Sequence, residues 1–400
     1  MNAQSLKWRM AAVYGALFLG IGVALPYLPV WLKAKGLSAQ DIGLALALQS
    51  VMRVLVAPAV SHLADRLGRL RPVMAASSLG VLAGLLYLAT VAEGRGAILL
   101  GVALAFGALA PLMPLSDAYA ITMVRRHGLD YGRMRLWGSL SFIFAAVGAG
   151  ALQDVLPARL LIWLIVLAQV LLFAAIAALP PRERDAGTEQ ARDTAGEKKG
   201  EGIIAILSVP FIVFVIMAGL VQSSHAFVYG FSAIHWKSLG HSGTVVGLLW
   251  MTGVIAEIVL FWFSEKVMAH LGAVRLMLLG AAAGLLRWLG LSLNPPLVLL
   301  FLLQALHGLS FGATHLGAIE FVRTRLPAAR TATAQAAYGA VSHGVFMTAA
   351  MWLSGRLYAD YGAKGWWAMA VMCLMALLLG LWLRRLARLP CPTTPRRAAR

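Results

Sequence analysis

Charge is what this 400-residue chain has least of: 12% of its residues are Asp, Glu, Lys or Arg, and only 16 are acidic. Soluble domains carry about a quarter charged residues, so an ordinary water-facing surface is excluded. Cysteine is almost absent too. Cys373 in an apolar run and Cys391 in the tail do not suggest a disulfide framework or redox chemistry. No H-E-x-x-H, C-x-x-C, phosphate-binding loop or dinucleotide fingerprint stands in a usable setting, and there is no Asn-X-Ser/Thr sequon. Gly308-Leu-Ser310-Phe-Gly312 matches a nucleophile elbow, but it lies inside an apolar run without the strand such an elbow needs, and reads as small-residue packing. No metal site is expected, because none of the scattered histidines stands four residues from another. An intramembrane enzyme is the remotest of the functional readings.

Apolar sequence fills the space that charge leaves. Hydrophobic residues make up 60% of the chain, with mean hydropathy +0.80. A bilayer crossing needs about 20 apolar residues, and twelve such stretches fall at 8–32, 41–60, 72–91, 97–121, 135–153, 158–179, 203–235, 243–262, 273–293, 296–320, 335–358 and 366–386. The expected fold is therefore an all-α membrane protein. Lys7 and Arg9 stand at the start of the first stretch as in a signal anchor.

The chain has 34 Lys and Arg against 16 acids, and their placement explains the excess. With the N-terminus inside, 25 of the basic residues fall in cytoplasmic segments, 7 outside, and Arg53 and Arg287 within spans. That is the positive-inside pattern of an even number of crossings with both termini cytoplasmic. It speaks against nucleic acid as a partner and for a multi-pass protein of the inner (cytoplasmic) membrane, in contact with lipid.

The longest polar stretch, 181–202, separates six spans from six and reads as a flexible linker. The expected division is a six-helix bundle at 1–180, the linker, a second bundle at 203–388 and a basic tail at 389–400. At an offset of 204 the halves align without gaps: Gly15 with Gly219, Lys33 with Lys237, Gly36 with Gly240, Ser38 with Ser242, Gly43 with Gly247 and Gly68 with Gly272. Small-residue ridges, Ser141-Ala145-Ala149 and Ala336-Ala340-Gly344-Thr348, are expected to let the bundles pack closely. Pro26, Pro29, Pro111 and Pro114 favour spans 1 and 4 as cavity-lining, and Pro58 marks a bend in span 2.

Between spans 2 and 3 lies Ser61-His-Leu-Ala-Asp65-Arg66-Leu-Gly68-Arg69-Leu-Arg71, a tight basic turn. It resembles the G-x-L-A-D-R-x-G-R-R loop of the major facilitator superfamily, with Ser61 in place of the first Gly. Pro114-Leu-Ser-Asp117, Tyr131-Gly-Arg133-Met-Arg135-Leu-Trp-Gly, Ala256-Glu257 and Leu306-His307-Gly-Leu-Ser-Phe-Gly-Ala-Thr-His315 resemble the phenylpropionate-permease-like branch, related to lactose and nucleoside proton symporters. The resemblance implies two pseudo-symmetric bundles alternating access to a midplane site, no cofactor beyond a proton gradient, and a working monomer. It leaves open proton symport of a small aromatic acid such as 3-phenylpropionate, symport of a sugar or nucleoside, and proton-driven drug efflux.

Ionisable groups inside spans are costly and point to function. Arg53 and Glu257 are 204 residues apart, so opposite charges occupy equivalent positions, and Glu257 is the expected proton or substrate group with Arg53 as partner. Asp117, facing Arg133 and Arg135 across a short loop, reads as a cytoplasmic latch or a substrate contact. Asp65, Arg66, Gly68 and Arg69 complete the expected cytoplasmic gate. His307 or His315 is a candidate relay, with His225 and His343 behind them. Arg53, then Arg287, would hold a carboxylate, within an aromatic cavity drawn from Tyr27, Tyr119, Phe227, Tyr229, Trp250, Phe311 and Tyr338.

Overall fold

A computed structural model describes residues 3–180, 208–327 and 330–386, so the linker expected at 181–202 and the basic tail expected at 389–400 lie outside the described residues. Among the described residues the chain is helical throughout and has no strand. The helices are α1 (Ala3–Ala34), α2 (Ala39–Leu67), α3 (Leu70–Thr90), α4 (Gly94–His127), α5 (Tyr131–Val155), α6 (Ala158–Ala177), α7 (Val209–Ser238), α8 (Gly243–Trp262), α9 (Ser264–Ser292), α10 (Leu297–Arg325), α11 (331–361) and α12 (Trp366–Leu386). By length and hydropathy alone the run Thr333–Leu386 is continuous over 54 residues. At about 1.5 Å per residue it would be more than twice as long as a bilayer core is thick. It turns back at Gly362, where φ is 53° and ψ −128°, and so supplies two crossings.

Local chemistry repeats at the 204-residue offset. Gly36 and Gly240 end α1 and α7 with φ of 89° and 88°, values that favour a residue without Cβ. Ser38 and Ser242 then cap α2 and α8, accepting from the N–H groups of Asp41 and Val245. Gly68 and Gly272 share positive φ, 63° and 69°, at the next turn. Gly68 closes α2, whereas Gly272 breaks α9 near its start.

Four crossings are interrupted mid-course. Pro111, which has no N–H to donate, separates Gly94–Leu109 from Leu112–His127. The helix α7 breaks around Ser224 and His225. Wider π-helical turns occupy Gly308–Ala313 in α10 and Ala340–Phe346 in α11. By contrast, α1 runs through Pro26 and Pro29 and α2 through Pro58 without a break.

The first six and last six helices meet most closely at the end opposite the termini. A Cβ on Gly43 would sit 2.7 Å from the Cα of Gly355, and one on Gly247 would sit 2.5 Å from the carbonyl oxygen of Ala146. Gly150 abuts Gly243 in the same way, so these helices touch backbone to backbone. The ridge Ser141-Ala145-Ala149 does not mediate this contact. Ser141 and Ala145 face Gly15 and Gly22 of α1, and their neighbours Ala146 and Gly150, on the adjoining face, meet α8. Towards the termini the halves part: α2 buries Ile42, Gly43, Ala45, Leu46, Ala47 and Ser50 but then only Ala64, and α8 buries nothing beyond Gly253.

Candidate functional site

The densest polar cluster inside the membrane-spanning region lies in the second half, where α7, α8, α9 and α10 converge. Glycine makes the approach possible. A Cβ on Gly308 would lie 2.6 Å from the Ala256 carbonyl oxygen, and Gly253 sits beneath the His307 ring, so α10 lies against α8 beside Glu257. The π turn that begins at Gly308 then reshapes α10. On an α-helix His307 and His315 would be turned about 80° apart. The wider turn offsets that drift, and His307, Phe311 and His315 form one stack with centroid spacings of 5.2 and 6.1 Å and interplanar angles of 12°.

Arg287 is 2% exposed and has no carboxylate partner among the described residues. Its guanidinium donates to Gln304 Oε1 at 2.7 Å, to His307 Nδ1 at 3.0 Å and to Ser310 Oγ at 3.2 Å, and its Nε has no partner among the described residues. A guanidinium cannot accept a hydrogen bond, so His307 Nδ1 must accept and the His307 proton sits on Nε2. That nitrogen lies 3.8 Å from Glu257 Oε2, too far for a direct hydrogen bond and close enough for one after a small shift or through one water.

The same bookkeeping fixes His225. Its Nδ1 faces the carbonyl oxygens of Val221 and Gln222 at 3.1 and 3.2 Å, so it carries the proton, and Nε2 accepts from Ser310 Oγ at 3.1 Å. Ser310 thus accepts from Arg287 and donates to His225. Every hydrogen in the chain has a direction, and the last donor, His307 Nε2–H, points to Glu257. A second proton on His307 would require release from Arg287, which leaves Glu257 as the group that can gain a proton without breaking the chain.

Arg53 is exposed on α2 and makes no hydrogen bond or ion pair among the described residues. It faces the second half, within electrostatic reach of Tyr229 and His343. It forms no ion pair with Glu257, which lies within electrostatic reach of Arg135. Asp117 is held by hydroxyl groups: Tyr14 and Tyr131 donate to its Oδ1 at 2.6 and 2.9 Å. Arg133 pairs with Asp130 at 3.5 Å, and Arg135 stacks on Phe18 at 3.9 Å. Asp65, Arg66 and Arg69 are exposed and form no ion pair among the described residues, while Arg71 donates to Ala177 O at 2.5 Å.

Of the aromatic residues, the structure gathers Phe311, Tyr229 and Trp250 beside the polar cluster. Tyr229 stacks on Trp250 at 6.0 Å, and Phe142 of the first half lies 6.4 Å from Trp250. The others sit elsewhere. Tyr27 donates to Ala146 O and Gly243 O at the closed end, Tyr119 donates to Pro180 O, and Phe227 packs on Trp366. Tyr338 packs on Phe214 and lies 6.1 Å from His343.

Sequence reasoning overlooked three features. Gln304 and Ser310 are uncharged and escaped a search for ionisable groups, although their spacing of three residues either side of His307 placed them on its face. Tyr14 and Tyr131 carried no local signal of their bond to Asp117. Asp154, at the end of α5, caps α8 across the halves: it accepts from Gly243 N at 2.5 Å and from Thr244 N and Oγ1 at 2.9 Å, and lies 3.6 Å from Lys237 Nζ.

Twelve membrane-crossing helices, close-packed at one end and parted at the other around buried ionisable side chains, define a multi-pass transporter rather than an enzyme. Residues 7–369 match the MFS_1 like family, and the chain belongs to that family of the major facilitator type. It is 32% identical over 390 residues to the probable 3-phenylpropionic acid transporter of Escherichia coli (strain K12), covering 95% of this chain and 98% of the relative. It is 28% identical to the maltose permease of Geobacillus stearothermophilus, covering 85% and 86% of the two chains. The fold matches the crystal structure of the nucleoside transporter NupG with a TM-score of 0.81 at 17% identity, over 98% of this chain and 100% of that one.

Proposed function

We propose that this protein is a proton-coupled permease of the inner membrane that takes up a small aromatic carboxylate such as 3-phenylpropionate. The observation that carries the reading is the chain Arg287–His307–Glu257, drawn from α9, α10 and α8 and set beside the faces of Phe311, Tyr229 and Trp250. Glu257 is the proton carrier. Its carboxylate faces His307 Nε2–H across 3.8 Å, and protonation removes the negative charge that draws that donor, so proton binding alters the polar chain behind the aromatic wall. Arg53, unpaired and facing that wall from the first half, supplies the cation for the substrate carboxylate. The name of the Escherichia coli relative supports the choice of an aromatic acid.

The positive-inside pattern puts both termini in the cytoplasm. The parted end is then cytoplasmic, the conformation is inward-facing, and the Asp154 contacts form an outer latch that must open in each cycle. Uptake of labelled 3-phenylpropionate into proteoliposomes under an inward proton gradient, beside maltose and nucleoside controls, tests the assignment. Gradient-dependent accumulation of the acid that is lost in Arg53→Ala supports it. Accumulation of a control solute without the acid would move the substrate class to neutral polyols.

A further inference from the structure

At the termini end of the second half, the start of α9 and the ends of α10 and α12 line an open cavity of ≈ 370 Å³. Its charged lining is Arg275, Arg325, Arg384 and Glu320. Glu320 is already neutralised by Arg323, whose guanidinium donates to both its oxygens at 2.7 and 2.6 Å. Among the described residues, Arg275 and Arg384 therefore face this space with no free acid beside them. Arg275 and Arg384 make no hydrogen bond or ion pair among the described residues.

The backbone adds to this field. The φ of 69° and ψ of 168° at Gly272 interrupt α9, which restarts at Ala273 on the cavity wall. A restarting helix directs its first-turn N–H groups and the positive end of its dipole outward. Leu271, Val274 and Phe321 form an apolar side to the same space. The ends of three crossing helices meet here, so the cavity lies at headgroup depth, on the end of the molecule where basic residues are most numerous.

We propose that this cavity binds the phosphodiester headgroup of one acidic phospholipid, with Arg275 and Arg384 contacting the phosphate and the apolar wall adjoining the acyl chains. The site is separate from the Glu257 cluster and does not depend on the transported substrate. It fits phosphatidylglycerol, which carries a net negative charge, better than phosphatidylethanolamine, whose ammonium group would meet the Arg275 and Arg384 guanidinium groups.

Native mass spectrometry of the full-length protein, incubated with phosphatidylglycerol or phosphatidylcholine of equal chain length, tests the proposal. The expected result is preferential retention of one phosphatidylglycerol, reduced about tenfold in R275Q/R384Q, with phosphatidylcholine retention unchanged and with R275K/R384K close to wild type. Equal retention by wild type and R275Q/R384Q overturns the proposal. Complete displacement of the lipid by excess inorganic phosphate also overturns it, assigning the cavity to a soluble anion. Hydrogen exchange of the wild-type protein needs no variant to fold: phosphatidylglycerol vesicles should slow exchange at 271–275 relative to phosphatidylcholine vesicles, and identical exchange counts against the site.

Discussion

In the second half, α7, α9 and α10 carry His225, Arg287, Gln304, His307 and Ser310, whereas the positions 204 residues earlier hold Ile21, Ala83, Leu100, Ala103 and Phe106. Ile21 and Phe106 line a small cavity whose walls are apolar except for Gln169, and Gln169 is bonded to Ser78. The repeated path of the chain thus supports a directed polar network on one side and an apolar filling on the other. Polar chemistry in the first half sits nearer the termini end, where Tyr14 and Tyr131 satisfy Asp117. A half-buried carboxylate held by two hydroxyl donors suits a fixed joint. One that faces a histidine donor across 3.8 Å is poised to change partner. On the proposed reading, proton coupling falls to the second half, and the first supplies rigid support with the Arg53 guanidinium facing the second half.

Breaking the network at its acceptor end should have the largest effect. Glu257→Gln is expected to abolish gradient-driven accumulation while leaving substrate exchange across the membrane, as read by counterflow. Arg287→Leu removes the donor to Gln304, His307 and Ser310. Truncating one member of a buried charged network costs about 3–5 kcal/mol, so this variant should lose both uptake and thermal stability, measured by melting in detergent. Ala83→Leu at the equivalent position in the first half should leave proton coupling in place and lower the melting temperature only modestly, which sharpens the contrast.

The latch between the halves comes next. Asp154→Ala strips an acceptor from Gly243 N and Thr244 N, and groups left unpaired in this way cost about 1–3 kcal/mol each. The population should move at least about tenfold away from the conformation closed at that end, raising the labelling of a cysteine placed at Thr244 by an impermeant reagent. The smallest effect belongs to the fixed joint. Asp117→Asn keeps an oxygen for Tyr14 and Tyr131, costs about 1 kcal/mol, and should hold initial uptake within about twofold of wild type.

Much of this arrangement was legible in the sequence. Segment length and hydropathy located twelve crossings, because lipid requires every backbone group to be satisfied within its own helix. The 204-residue repeat anticipated paired turns at Gly36 and Gly240, which rest on a local φ requirement. Glu257 and Arg287 stood out because charge within an apolar run is costly. The pairing of Arg53 with Glu257 was a different kind of inference. Equivalent positions related by pseudo-symmetry need not touch, and where the halves part these two side chains face different neighbours. The π turn at Gly308–Ala313 depends on α10 packing against α8, so no periodicity count on α10 alone could align His307 with His315. Asp154 escaped attention because an acid at a helix end looks solvated until its partner from the other half is known.

Proton movement at Glu257 is the central claim. It is tested most directly by following a pH-sensitive dye inside proteoliposomes while substrate is added without an imposed gradient. The account predicts substrate-dependent acidification of the lumen with wild type and Asp117→Asn, and none with Glu257→Gln even though that variant still exchanges substrate. Acidification by Glu257→Gln at the wild-type rate would contradict it.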